Sequence, residues 1–126
     1  MSMSRKRPVV LLVEDEVLIR LFGADLLTAA GFEVIEAASA DEALGKLESR
    51  GDVQVLFTDV HMPGSLDGLE LARCVHKRWP GIELLIASGR SRLDPDEIPD
   101  DGLFVSKPYE PSHVIQQLRE LAQRHH

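Results

Sequence analysis

Residues 9–16 read Val-Val-Leu-Leu-Val-Glu-Asp-Glu, and this stretch decides the fold class. Five consecutive apolar residues without alternation predict a strand that is buried on both faces, as in a parallel sheet. A helix is predicted from about Glu16 to Gly31, where a glycine suits the left-handed residue that ends many helices. The helical spacing of Leu18, Phe22, Leu26 and Ala29 places them on one apolar face of this helix. A buried strand followed by an amphipathic helix is the repeating unit of an α/β fold.

The rest of the chain repeats this alternation. Further strands are predicted at residues 32–35, 53–58, 82–87 and 103–106. Two helix starts carry the capping-box pattern, Ser39 with Glu42 and Asp67 with Glu70, and Pro111 suits the first turn of a last helix. Because strands separated by helices require right-handed crossovers, we predict one doubly wound α/β domain with a five-stranded parallel sheet. The predicted domain covers residues 8–124, and residues 1–7 form a flexible tail.

One segment departs from the pattern. Residues 90–101 stand where a further helix is due, but they contain Pro95 and Pro99. A proline at the later position has no amide to donate to residue 95 and clashes with its carbonyl group. We therefore predict a degenerate fourth helix of at most one turn.

The composition excludes several classes of protein. The 126 residues include 14 basic and 21 acidic ones, and the net charge of −7 argues against a nucleic-acid-binding surface. The longest apolar run, at residues 9–13, is too short to cross a bilayer, and no signal peptide is recognised. The single Cys74 allows neither an internal disulfide nor a cysteine zinc site. We expect an acidic cytoplasmic domain that binds neither nucleic acid nor membrane.

Polar side chains follow four of the five predicted strands: Glu14 and Asp15, Asp59, Ser88, and Lys107. The carboxyl ends of parallel strands meet at one edge of a sheet, where ligands of open α/β sheets bind. Three carboxylates held together repel one another and need a cation, and oxygen ligands favour Mg²⁺ or Mn²⁺. A carboxylate acts as a nucleophile when a metal and a lysine neutralise the charge on a phosphoryl group. This set of residues therefore predicts phosphoryl capture on Asp59.

At these positions the sequence resembles the receiver domain of two-component response regulators. The matching stretches are Leu-Val-Glu-Asp-Glu (12–16), Thr-Asp-Val-His-Met-Pro-Gly (58–64), Asp-Gly-Leu-Glu-Leu (67–71), Ala-Ser-Gly (87–89) and Ser-Lys-Pro-Tyr (106–109). The resemblance covers nearly all of residues 8–124. It implies the flavodoxin-like strand order 2-1-3-4-5.

The resemblance also implies a role for each residue at the sheet edge. Glu14 and Asp15 become the acidic pair of the Mg²⁺ site, Asp59 the phosphoacceptor and a metal ligand, and His61 a metal ligand through its backbone carbonyl. Lys107 and Ser88 become the lysine and the switch hydroxyl that contact the phosphoryl group.

Two further positions follow from the same resemblance. Phe104 matches the family's rotating aromatic residue, and the peptide bond before Pro108 is expected to be cis.

The implied function is that of a single-domain response regulator. It would take a phosphoryl group on Asp59 from a histidine kinase or histidine phosphotransfer protein, and then switch binding to a downstream protein or relay the phosphate. We expect a monomer or weak dimer whose only chemistry is self-catalysed phosphotransfer and dephosphorylation.

Two alternatives remain open at this point. One is a pseudo-receiver, a scaffold that binds partners without phosphorylation. The other is a Mg²⁺-dependent phosphohydrolase of the haloacid dehalogenase type, which also uses an aspartate nucleophile. That enzyme family needs a second aspartate two residues after the nucleophile, and here that position is His61.

Overall fold

The computed structural model describes residues 7–62, 64, 66–89, 97–99 and 102–124. Within them the chain forms five strands and four helices. In chain order these are β1 (Val9–Val13), α1 (Val17–Ala29), β2 (Glu33–Ala37), α2 (Ala40–Ser49), β3 (Val55–Asp59), α3 (Gly68–Arg78), β4 (Glu83–Ser88), β5 (Leu103–Ser106) and α4 (Pro111–Arg124).

The strands form one parallel sheet in the order β2-β1-β3-β4-β5, which confirms the predicted doubly wound, flavodoxin-like fold. All five residues of β1 are buried, as the run without alternation predicts for a strand inside the sheet. The register places Val13 beside Thr58, Asp59 beside Ala87, and Ser88 beside Ser106. The carboxyl ends of these strands therefore lie along one edge of the sheet.

A hydrophobic layer covers each face of the sheet. Helices α2 and α3 pack on one face through side chains such as Leu47 and Val75. Helices α1 and α4 pack on the other face, where Leu118 and Leu121 of α4 are fully buried. Burial of a leucine side chain contributes about 1.5–3 kcal/mol, so these contacts hold the last helix in place.

The helix caps agree with the sequence predictions except for one hydrogen bond at the start of α2. Asp67 and Glu70 form the predicted capping box at the start of α3. At α2, the Ser39 side chain accepts a hydrogen bond from the Glu42 amide as predicted, but the Glu42 carboxylate accepts from the amide of Ala38 instead of Ser39. Gly31 has the left-handed conformation, with φ of 104°.

The predicted apolar face of α1 is wrong. Leu18 and Phe22 are 80% and 65% exposed, whereas the residues that α1 buries are Ala24 and Leu27. On the same side, Gly23 faces Leu12 of β1, whose side chain would lie 3.4 Å from a Cβ atom at this position. The buried face of this largely apolar helix is therefore the one that carries Ala24 and Leu27.

Two predictions fall wholly or mainly outside the described residues. They are the flexible tail, of which only residue 7 is described, and the degenerate helix at residues 90–101, of which only 97–99 are described. Among the described helices, none is long and apolar enough to span a membrane.

Candidate functional site

Three of the predicted side chains meet at the carboxyl edge of the sheet. Asp59 is the last residue of β3, Lys107 directly follows β5, and Glu14 directly follows β1. The Lys107 ammonium nitrogen lies 2.7 Å from Asp59 Oδ2 and 4.0 Å from Glu14 Oε1. Two carboxylates from different strands therefore share one lysine.

Asp59 is held from two sides. Its side chain is 12% exposed; Oδ2 accepts from Lys107, and Oδ1 accepts a long hydrogen bond, 3.4 Å, from the His61 amide. Burial acts to lower the pKa of Lys107, but the hydrogen bond that the lysine donates to Asp59 and the charges of both carboxylates raise that pKa above its usual value. The lysine is therefore positively charged at neutral pH.

Glu14 is the most buried ionisable residue of the site. Burial raises the pKa of its carboxyl group, and the nearby charge of Asp59 acts in the same direction. The hydrogen bond from the Glu16 amide, 3.1 Å long, and the charge of Lys107 oppose this rise. The ionised form of Glu14 is thus disfavoured here, and an added cation would relieve that cost.

Backbone contacts between neighbouring strand ends fix the frame of the site. The Val60 amide donates to the carbonyl of Ala87 at 2.9 Å, and the Lys107 amide donates to the carbonyl of Ser88 at 2.7 Å. The peptide bond between Lys107 and Pro108 is cis. The residue that follows Asp59 and the backbone of Lys107 itself are therefore both hydrogen-bonded to the end of β4.

Gly68 has a structural role that our sequence reasoning missed. Its amide donates to the carbonyl of Val60 at 2.8 Å, which brings the start of α3 against the backbone of Asp59. A Cβ atom on Gly68 would lie 2.7 Å from the carbonyl carbon of Asp59. The sequence signal was a glycine, a poor helix former, at the first position after a capping aspartate.

Tyr109 is a second residue of the site that the sequence analysis did not identify. Its ring is tilted against that of Phe57 with 6.1 Å between the centroids, and burial raises the pKa of its hydroxyl group. Together with Ile19 and Ile115 it lines a groove between α1 and α4 that leads to Asp59 and Lys107. The available signal was its place in the matched stretch 106–109.

The remaining predicted residues lie around this centre. Ser88 is fully buried at the end of β4, and Asp15 is half-buried beside Glu14. His61 is exposed, and Phe104 of β5 is partly buried against the core on the α2 and α3 side.

The donor chemistry fits a hard divalent cation. The carboxylates of Glu14, Asp15 and Asp59 and the carbonyl of His61 offer oxygen atoms only, which suits Mg²⁺ better than zinc. In the described part of the chain, no three acidic, histidine or cysteine side chains already form a group that could hold a metal. Lys107 is the cation that contacts Asp59 here, through Oδ2.

Comparison with known proteins decides the family. The family model described as the response regulator receiver domain matches residues 10–119. The chain belongs to this family. Receiver domains are phosphoacceptor domains of two-component signalling, they generally bind Mg²⁺ at the phosphorylation site, and they accept phosphate from histidine kinases.

Individual relatives agree with this assignment. The chain is 34% identical over 91% of its length to the sensor kinase CckA of Brucella abortus, of which it covers 12%. It is 29% identical to the chemotaxis protein CheY of Thermotoga maritima, covering 90% of this chain and 96% of that protein. A signal receiver domain from Pseudomonas fluorescens Pf-5 superposes with a TM-score of 0.86 at 26% identity, over 96% of this chain and 98% of that one. The receiver domain spans 12–26% of the length of three curated relatives.

Proposed function

We propose that this receiver domain accepts a phosphoryl group on Asp59 from a histidine kinase or a histidine phosphotransfer protein, and that phosphorylation switches its binding to a downstream protein or relays the phosphate. One observation carries the proposal. A nearly buried aspartate lies 2.7 Å from a lysine ammonium at the carboxyl edge of the sheet, beside a second buried carboxylate. This arrangement presents a nucleophile together with a fixed positive charge for phosphoryl oxygens.

The residues divide the chemistry as follows. A carboxylate oxygen of Asp59 attacks the phosphorus atom of the donor, the O–P bond forms, and the donor's P–N bond breaks with its electrons remaining on the histidine nitrogen. Lys107 neutralises charge on the phosphoryl oxygens with its ammonium group. Glu14, Asp15, Asp59 and the carbonyl of His61 would hold Mg²⁺, which supplies further neutralisation of that charge.

The response to phosphorylation falls to residues on β4 and β5. A phosphoryl group brings three strong acceptor oxygens to Asp59, and the Ser88 hydroxyl at the end of the neighbouring strand is suited to donate to one of them. Phe104 lies on β5, next to Ile86 of β4 in the sheet register. Movement at the end of β4 would therefore be transmitted to this half-buried aromatic side chain.

The exposed apolar surface of α1 supports a protein as phosphodonor. In the described part of the chain, every large apolar side chain that is exposed belongs to α1. We call the surface that these side chains form the α1 patch, and it consists of Val17, Leu18, Ile19, Leu21 and Phe22. It begins two residues after Asp15. A protein donor must bring its phosphohistidine to Asp59 and would bury this neighbouring surface, as exposed apolar patches commonly mark protein interfaces.

Phosphorylation by a small molecule tests the central claim. We expect the protein, incubated with acetyl phosphate and Mg²⁺, to gain the mass of one phosphoryl group, and Asp59→Asn to gain none. A pseudo-receiver would show no gain in either protein. A phosphohydrolase would instead release phosphate from an ester substrate through many turnovers.

The donor surface has a separate test. Leu18→Ser with Phe22→Ser removes apolar area from the α1 patch, and both residues are exposed in the domain alone. We expect this variant to react with acetyl phosphate like the wild type, but to accept phosphate more slowly from a histidine phosphotransfer protein. The control is Leu44→Ser, because Leu44 is a half-buried residue of α2 that lies away from the α1 patch. Equal transfer rates from the protein donor would refute the docking surface.

A further inference from the structure

Arg20 joins three parts of the molecule that surround the acidic loop after β1. Its Nη1 atom donates to the backbone carbonyl oxygen of Glu14 at 2.8 Å, and its Nε atom lies 3.3 Å from Glu36 Oε1 on β2. Its own backbone belongs to the start of α1, where its amide donates to the carbonyl of Glu16. One side chain thus connects α1, the end of β1 and the edge strand β2.

The burial of Arg20 separates it from the surface ion pairs of the domain. Its side chain is 16% exposed, against 34% for Arg50 and 44% for Arg78, which pair with acidic side chains. An arginine that donates one hydrogen bond to a backbone carbonyl and another to a carboxylate has a fixed orientation, because its guanidinium group is planar and rigid. This contact is therefore suited to hold a backbone group in place.

The backbone group that it holds lies between the two acidic residues. The carbonyl oxygen of Glu14 belongs to the peptide unit that joins Glu14 to Asp15. The Glu14 amide donates to Ala37 of β2 at 3.0 Å, so the residue is fastened on both sides. Because a peptide unit is planar, fixing its oxygen also fixes the direction in which the chain enters Asp15.

We propose that Arg20 is a positioning residue for the metal site: it holds the Glu14–Asp15 peptide unit in the orientation that presents both carboxylates to a cation beside Asp59. Glu36 acts one step behind it by holding the guanidinium group. Arg20 itself touches neither cation nor phosphoryl group. This inference rests on the proposed function, in which Glu14 and Asp15 serve Mg²⁺.

The test compares Mg²⁺ binding among variants of the unphosphorylated protein by calorimetry. We expect Arg20→Gln to weaken Mg²⁺ binding by about tenfold or more, as loss of a supporting contact commonly does at metal sites. Arg20→Lys keeps the charge but cannot make both contacts, so it should recover only part of the affinity. Glu36→Gln should weaken binding in the same direction by a smaller factor. The control Arg78→Gln breaks an exposed pair with Glu48 and should stay within about twofold of the wild type.

A second measurement separates positioning from general damage. Amide chemical shifts of Asp15 and Glu16 should change in Arg20→Gln before any metal is added, while the variant should still unfold in one cooperative transition with urea. Raising the Mg²⁺ concentration should restore the rate of phosphorylation by acetyl phosphate in Arg20→Gln, because the nucleophile and Lys107 are intact.

The outcomes distinguish the two proposals. If the wild type binds Mg²⁺ and Arg20→Gln binds it within about twofold, the positioning role is refuted and the proposed function stands. If Arg20→Gln does not fold, Glu36→Gln decides, and unchanged affinity there refutes the role. If the wild type itself binds no Mg²⁺, the proposed metal site fails and the inference fails with it.

Discussion

Replacement of Lys107 by methionine tests the charge balance of the site most directly. The lysine contacts Asp59 at 2.7 Å; the Asp59 and Glu14 side chains are 12% and 7% exposed, whereas the lysine is 32% exposed. Removal of one partner from a buried ion pair costs about 3–5 kcal/mol, and an exposed pair contributes about 0–1 kcal/mol. Since solvent screens a lysine exposed to this degree, we expect Lys107→Met to fold but to lose about 1–2 kcal/mol at pH 7 without Mg²⁺.

The assay is a double-mutant cycle by urea unfolding, with wild type, Lys107→Met, Asp59→Asn and the double variant. If the loss arises from an uncompensated carboxylate, Lys107→Met should cost much less in the Asp59→Asn background. Lys77→Met, on the exposed side of α3, controls for the loss of a surface charge. Equal costs in both backgrounds would refute the reasoning, because the ion pair would then contribute nothing to stability.

The stability that the ion pair of Lys107 and Asp59 contributes should depend on pH. The pKa of Lys107 in the folded protein lies above its usual value of 10.5, so the folded state holds this proton more tightly than the unfolded state does. The stability that the pair contributes is therefore fully present below pH 10.5, and it is lost as the pH rises through the raised pKa. The gap in stability between the wild type and Lys107→Met should narrow in that alkaline range.

Three further variants test other parts of the site. Burial raises the pKa of the Glu14 carboxyl group, so Glu14→Gln should increase the free energy of unfolding at pH 7 without metal. This gain should vanish below pH 4.5, and thermal melts at both pH values would check it. Gly68→Ala should cost about 1–3 kcal/mol and slow the phosphorylation of Asp59, whereas Gly45→Ala, in open space on α2, should stabilise by about 0.5–1 kcal/mol in the same urea titrations. Ser88→Ala should leave Asp59 phosphorylatable by mass spectrometry but reduce the NMR shifts that beryllofluoride causes in β5; full-sized shifts would contradict a switch role.

The sequence predicted the sheet because its strand signals are strong and local. The five apolar residues of β1 favour a strand that is buried on both faces, and the residues after each strand meet at one edge because of the topology. The proximity of Asp59 and Lys107, which are 48 positions apart, follows from that topology and needs no knowledge of side-chain packing.

Packing of α1 could not be predicted in the same way. Nearly every position of this helix is apolar except Arg20, Asp25 and Thr28, so a 3.6-residue period fits more than one face. The buried face carries Ala24 and Leu27, which pack in one cluster with side chains of other elements, and a local pattern does not contain those contacts. The Arg20 contact with Glu36 joins two elements through side chains alone, and no local pattern indicates it.

The position of the site within the sheet determines which elements can respond to phosphorylation. Under the proposed function, the phosphoryl group raises the charge on Asp59 from −1 to about −2, so its attraction for Lys107 grows at the moment when new acceptor oxygens appear. Lys107 directly follows β5, which is the shortest of the described strands, lies at the sheet edge and has one buried residue, Val105. β1 is buried along its whole length and hydrogen-bonded on both sides, and the Glu14 backbone is anchored to β2. Under the proposed function we therefore expect phosphorylation to displace the edge strand β5 before it displaces β1, so that β5 would carry the response and the acidic loop would stay fixed.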